Sequence, residues 1–243
     1  EVIEAYKKFI NFKVLSERKD VNIEQIIKIH PKANYDYNSL MERGIIKVNM
    51  SIVDEMPDYE WDWQLLSSSS SFVPKASWLL EKIDVNLNWE ALTNHENDNA
   101  WGNEDLLSKM AKNSDISSKV NWKFISEQKV FPLKVELLMI LPFDKLNWKT
   151  ISQRRNVFDI IDAFKDMLDW KIISSSKHLH VSEIEVLYKY KDYLDWHTIC
   201  SREDFQITNQ ILNEFANYID WDKASSSLHI DFTRELVDNY QDR

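Results

Sequence analysis

The stretch Leu168-Asp169-Trp170-Lys171-Ile172-Ile173-Ser174 decides how this chain folds, because its pattern returns along the whole sequence. Leu146-Asn147-Trp148-Lys149-Thr150-Ile151-Ser152 matches it closely. With the aromatic residue as anchor, the same frame falls on Phe12, Tyr37, Trp63, Trp89, Trp122, Trp148, Trp170, Trp196 and Trp221. Successive anchors stand 25, 26, 26, 33, 26, 22, 26 and 25 residues apart, a near-constant period that marks tandem units. Asp or Asn precedes every anchor: Asn11, Asp36, Asp62, Asn88, Asn121, Asn147, Asp169, Asp195 and Asp220. The residue before that is apolar or aromatic, from Ile10 to Ile219, and the third after the anchor is Leu, Ile or Ala. The fourth is Ser, Thr or Cys in eight units, with Met41 the exception.

These columns have a local physical meaning. An Asp or Asn oxygen accepts from the free N–H groups of a first helical turn, so each is read as an N-cap and each anchor as the first helical residue. The apolar residues on either side of the cap are the two halves of a hydrophobic staple. A second, longer helix is expected in each unit from an apolar stripe ten, nine and six residues before the next anchor. The stripe reads Ile211, Leu212, Phe215; Val186, Leu187, Tyr190; Ile160, Ile161, Phe164; and Leu79, Leu80, Ile83, with Val2, Ile3 and Tyr6 before Phe12. Ser182 and Thr208 stand where caps of two such helices are expected. Pro31, Pro57 and Pro142 should stop the second helix early. In the 33-residue unit the stripe reappears as Leu106, Leu107 and Met110, and the segment from Asn113 to Lys119 is read as a loop insertion.

The fold expected is all-α, an α-solenoid of about nine tandem helix-pair units of ~25 residues. Residues 1–243 form one array, degenerate over 1–60 and clearer over 61–243. The stripe Leu236, Val237, Tyr240 sets the next anchor beyond Arg243, so the array is expected to continue past this chain. Trp63, Trp89, Trp122, Trp148, Trp170, Trp196 and Trp221 are read as structural anchors wedged between units, with Trp148, Trp170, Trp196 and Trp221 mostly buried.

The pattern resembles tandem helical repeats of the Asp/Asn-Trp-x-x-Ile-Ser type in giant-virus, phage and some bacterial proteins. The resemblance covers nearly the whole chain and weakens before Trp63. It implies an interaction scaffold, often attached to other domains, and carries over no catalytic residue.

Composition agrees with that reading. Apolar residues make up 44% of the chain, enough for a core, and two glycines are too few for the phosphate loops of nucleotide-binding sheets. One cysteine, Cys200, rules out an internal disulfide, and no apolar run is long enough to cross a bilayer. An intracellular, cytoplasmic setting is therefore expected, without a membrane. The net charge of −10 disfavours nucleic acid as the main partner.

No kinase signature, nucleophile elbow or zinc spacing is present. His178 and His180 share a serine-rich loop and are read as solvated; Cys200 sits in the Ser column and is read as packing. Serine runs at Ser67–Ser71, Ser174–Ser176 and Ser225–Ser227 are read as edge loops. No catalytic residue, cofactor, metal or small-molecule substrate is expected. The function expected is a non-enzymatic protein–protein interaction scaffold. Lys13, Lys123, Lys149 and Lys171, each directly after an anchor, form a possible nucleic-acid or partner face, though Glu90 and Asp222 interrupt it. Nucleic-acid binding in a phage-defence or viral setting, and a regulatory segment of a larger enzyme, are the alternatives.

Overall fold

The computed structural model describes residues 5–31, 33–231 and 233–240. Among them the chain is all-helical, with 20 α-helices of four to nine residues, three short 3₁₀ turns and no strand. It divides into two compact units, one of residues 1–132 and 136–146, the other of 133–135 and 147–243.

All nine anchors open a helix. Phe12–Glu17, Tyr37–Glu42, Trp63–Ser67, Trp89–Leu92 and Trp122–Glu127 belong to the first unit. Trp148–Ser152, Trp170–Ser175, Trp196–Cys200 and Trp221–Ser225 belong to the second. In every case the preceding Asp or Asn side chain accepts from the N–H three residues on, as Asp169 does from Ile172 at 3.2 Å and Asn88 from Ala91 at 3.0 Å. The staple residues are buried in eight of the nine frames; Ile10 and Leu15 at the first anchor are half-buried. Local capping chemistry thus starts each helix.

The Ser column explains how one helix pair is fastened to the next. In the second unit, Ser152 is 2% exposed; its Oγ donates to Trp148 O at 2.7 Å and accepts from the Asp169 N–H at 2.8 Å. Ser174 Oγ accepts from the Asp195 N–H at 2.9 Å. In the first unit Ser16, Ser67 and Thr93 accept from the N–H groups of Asp36, Asn88 and Asn121. Each hydroxyl therefore satisfies the cap residue of the following anchor helix, a donor that a buried helix start leaves without a backbone partner. Met41 has no hydroxyl, and there Asn38 Oδ1 takes the Asp62 N–H at 3.0 Å.

Aromatic rings and arginines complete the stacking. The Trp148, Trp170, Trp196 and Trp221 rings lie 4.9–5.3 Å from Phe164, Tyr190, Phe215 and Tyr240, the stripe residues of the next second helix. Four indole N–H groups, of Trp122, Trp170, Trp196 and Trp221, donate to the carbonyl five residues back, at or near the end of the preceding helix. Arg202 reaches back to the carbonyls of Ser174, Ser176 and Leu179, and Arg43 to those of Ser16 and Arg18.

Several expectations need correction. The segment after Asn113 is a helix, Ser114–Lys119, and not a loop. Asn113 caps it, Ile116 is buried and Lys119 pairs with Asp115 one turn back. Ser182 caps nothing: Ile184–Tyr190 begins after Glu183, which makes no side-chain cap bond, whereas Thr208 does cap Asn209–Phe215. Trp170 and Trp221 keep the larger part of their surface buried, as expected, as does Trp63, with their rings against Tyr190, Tyr240 and Trp78. Trp89, Trp122, Trp148 and Trp196 are buried. Tyr6 is 59% exposed, and Val2 and Ile3 lie outside the described residues. The helices Ile23–Ile29, Met50–Glu55 and Val135–Leu138 do stop before Pro31, Pro57 and Pro142. Leu106, Leu107 and Met110 are fully buried on Glu104–Lys112.

Candidate functional site

Catalytic groups need shielding from water, so buried polar side chains are the first candidates for a site. Eight polar residues are buried among those described, and six of them, Ser16, Ser67, Thr93, Ser126, Ser152 and Ser174, belong to the Ser column. That column is structural. Cys200 occupies the same column, its sulfur taking the Asp220 N–H, and burial pushes its thiol pKa up to about 11. A thiol held protonated is a poor nucleophile. Among the described residues no group of three or more His, Cys, Asp or Glu side chains converges to hold a metal ion, and no helix is long and apolar enough to cross a membrane.

The four lysines singled out by sequence are all exposed. They do not form one ladder. In the first unit Asn38, Gln64 and Glu90 stand between Lys13 and Lys123 in that column. Asn38 and Gln64 are moreover tied to the backbone carbonyls of Glu60 and Asn86. In the second unit Lys149 and Lys171 stand on neighbouring helices, but His197 and Asp222 follow. His197 Nδ1 lies 2.5 Å from Oδ2 of the cap residue Asp220.

The serine runs are less idle than edge loops. Ser71 Oγ donates to Val48 O and Ser227 Oγ to Ile207 O, ties that cross from one loop to the loop before it. A further ladder joins second helices across the second unit. Tyr190 Oη and Lys189 Nζ donate to Asp162, at 2.9 and 2.7 Å, Tyr193 to Asp166, and Tyr218 to Asp192. The hydrogen bond from Lys189 is the main reason the Asp162 carboxyl titrates below the ordinary carboxylate range. The Arg clamps and this Tyr–Asp ladder escaped sequence reasoning. Their signal was Arg six residues after an anchor, as at Arg43 and Arg202, and Tyr three before one, as at Tyr193 and Tyr218.

Sequence reasoning also missed two open grooves in the second unit, because their walls come from separate helices and loops. One, of about 420 Å³, is lined by Arg155, Asp162, His178, His180, Lys189 and Tyr190, with Leu179 and Val186 among its apolar residues. The other, of about 690 Å³, is lined by Glu183, Glu185, Asp204, Phe205, Val181 and Ile211. Both are open to solvent, and each sets charged and polar side chains beside apolar ones. No family model, curated protein or solved structure matches the chain.

Proposed function

We propose that the chain is a non-enzymatic protein–protein interaction scaffold, an α-solenoid of about nine helix-pair units of ~25 residues. The observation that carries this reading is where the buried polar groups go. Six of the eight fasten one helix pair to the next or occupy the column that does so, which leaves exposed side chains off the stacking columns open to partners. Repeat arrays with such a division present a broad, mutable surface on a fixed frame. The open grooves support the same reading. The nucleic-acid alternative is less well supported, because the column holding Lys149 and Lys171 turns to His197 and Asp222 within two steps.

Affinity capture from native lysate with and without nuclease tests it. A protein partner that survives nuclease is the expected result. Recovery of RNA or DNA, with proteins lost on nuclease treatment, would transfer the reading to a nucleic-acid-binding solenoid.

A further inference from the structure

The two grooves of the second unit occupy the same place one repeat apart. Leu179 and Phe205 each lie nine residues after a Trp anchor, and Val186 and Ile211 each lie ten before the next. Both linings keep apolar residues at these positions while the charge beside them changes sign. Arg155, Lys189, His178 and His180 border the first groove, against the single carboxylate Asp162, which is paired with Lys189. Glu183, Glu185 and Asp204 border the second, with no basic side chain in its lining; Asp204 is paired with Arg202, so its acidic character rests on Glu183 and Glu185. Arg155, His180, Lys189, Glu183, Glu185 and Asp204 are all exposed.

Neighbouring helices pack at roughly 8–10 Å, and an extended chain covers about 3.3 Å per residue. We propose that the two grooves together bind an extended peptide of a protein partner, with acidic and basic side chains about three residues apart. The acidic side chains lie over Arg155 and Lys189, the basic ones over Glu183 and Glu185, and small apolar groups meet Val186 and Ile211. This rests on the scaffold reading and names its partner chemistry. Charge complementarity selects this occupant: a nucleic-acid strand carries a negative charge at every step and would run its phosphates onto the acidic rim of the second groove.

The test uses the full chain and a fluorescein-labelled 12-residue peptide with a glutamate pair and a lysine pair separated by three alanines. Controls are the same peptide with glutamate in place of lysine, and a single-stranded oligonucleotide. Anisotropy should show the mixed-charge peptide binding tightest. Arg155→Glu with Lys189→Glu should weaken it about fivefold or more, as should Glu183→Lys with Glu185→Lys, since each exposed pair contributes up to about 1 kcal/mol. Both variants should keep the parent circular dichroism. Equal binding by parent and variants overturns the proposal. So does tighter binding of the all-acidic peptide or the oligonucleotide, or self-association of the chain that Arg155→Glu abolishes. If affinity capture recovers the same partner from parent and variants, the groove assignment falls and the scaffold stands. If the parent captures no protein at all, the scaffold reading itself falls.

Discussion

Ser152→Ala measures what the Ser column contributes. Ser152 is 2% exposed, and its hydroxyl both donates to Trp148 O at 2.7 Å and accepts from the Asp169 N–H at 2.8 Å. Alanine removes both bonds and leaves the Asp169 N–H facing a methyl group. An orphaned buried donor costs about 1–3 kcal/mol; alanine's better helix propensity returns at most about 0.5 kcal/mol. The expected net loss is ~1–2.5 kcal/mol, which for a protein of this size lowers the melting midpoint by about 2–4 °C per kcal/mol. Ser225 supplies an internal control in the same compact unit. Its Oγ bonds Trp221 O at 2.8 Å just as Ser152 bonds Trp148 O, yet it is exposed and takes no cap N–H among the described residues. Ser225→Ala should therefore change stability by less than about 0.5 kcal/mol. Thermal melts followed by far-UV circular dichroism compare the two variants with the parent. Equal shifts would mean that the hydroxyl acts only within its own helix, and the account of how units are fastened would be wrong.

Three other perturbations probe the remaining ties. Trp196→Phe keeps a ring against Phe215 but loses the indole donor to Lys191 O. It should cost about 1–2 kcal/mol in urea titration against ~3–5 for Trp196→Ala; equal losses would deny the N–H a role. Cys200, buried and with its thiol pKa pushed up to about 11, should resist a thiol-reactive disulfide reagent at pH 8 until the protein is unfolded. Fast labelling of the native protein would contradict this, and Cys200→Ser, which puts the column's usual residue there, should keep the parent melting midpoint. Asp162→Asn should lower stability at pH 7 by less than about 1 kcal/mol, since the pair with Lys189 is exposed. The Asp162 pKa is depressed in the folded state, so its contribution is present above the ordinary carboxylate pKa and disappears as pH falls through the folded value. Parent and variant melts should accordingly converge at low pH, and a gap that widens on acidification would refute the assignment.

What the sequence revealed and what it concealed divide along a physical line. N-caps are decided within four residues, so Asp or Asn followed by an aromatic residue located all nine anchor helices at their first residue. Proline stops were equally local. The purpose of the Ser column was hidden because the donor it satisfies arrives from the next anchor, 17 to 28 residues away. The column's one exception shows the constraint is chemical: where Met41 lacks a hydroxyl, Asn38 supplies the acceptor from the other end of the same helix. The Asn113–Lys119 segment was misread because its single buried apolar residue, Ile116, makes no stripe, while a one-turn cap and an i,i+4 pair hold the helix.

The grooves were out of reach for a further reason. Stacking fixes the anchor, the cap, the staple, the Ser column and the stripe, and these recur in sequence because every unit must meet its neighbour. Some groove-wall positions, Arg155, Glu183 and Glu185 among them, fall outside those columns. His178 in one unit corresponds to Asp204 in the next, and His180 to Gln206, while the lining residues Leu179 and Phe205 stay apolar. Changes at Arg155, Glu183 or Glu185 touch none of the ties described above, and surface substitutions of this kind alter stability by only about 0.5 kcal/mol. Periodicity finds what repeats. The residues that choose a partner are those in which successive units differ, and they become legible once the fold sets a loop against a helix of another unit.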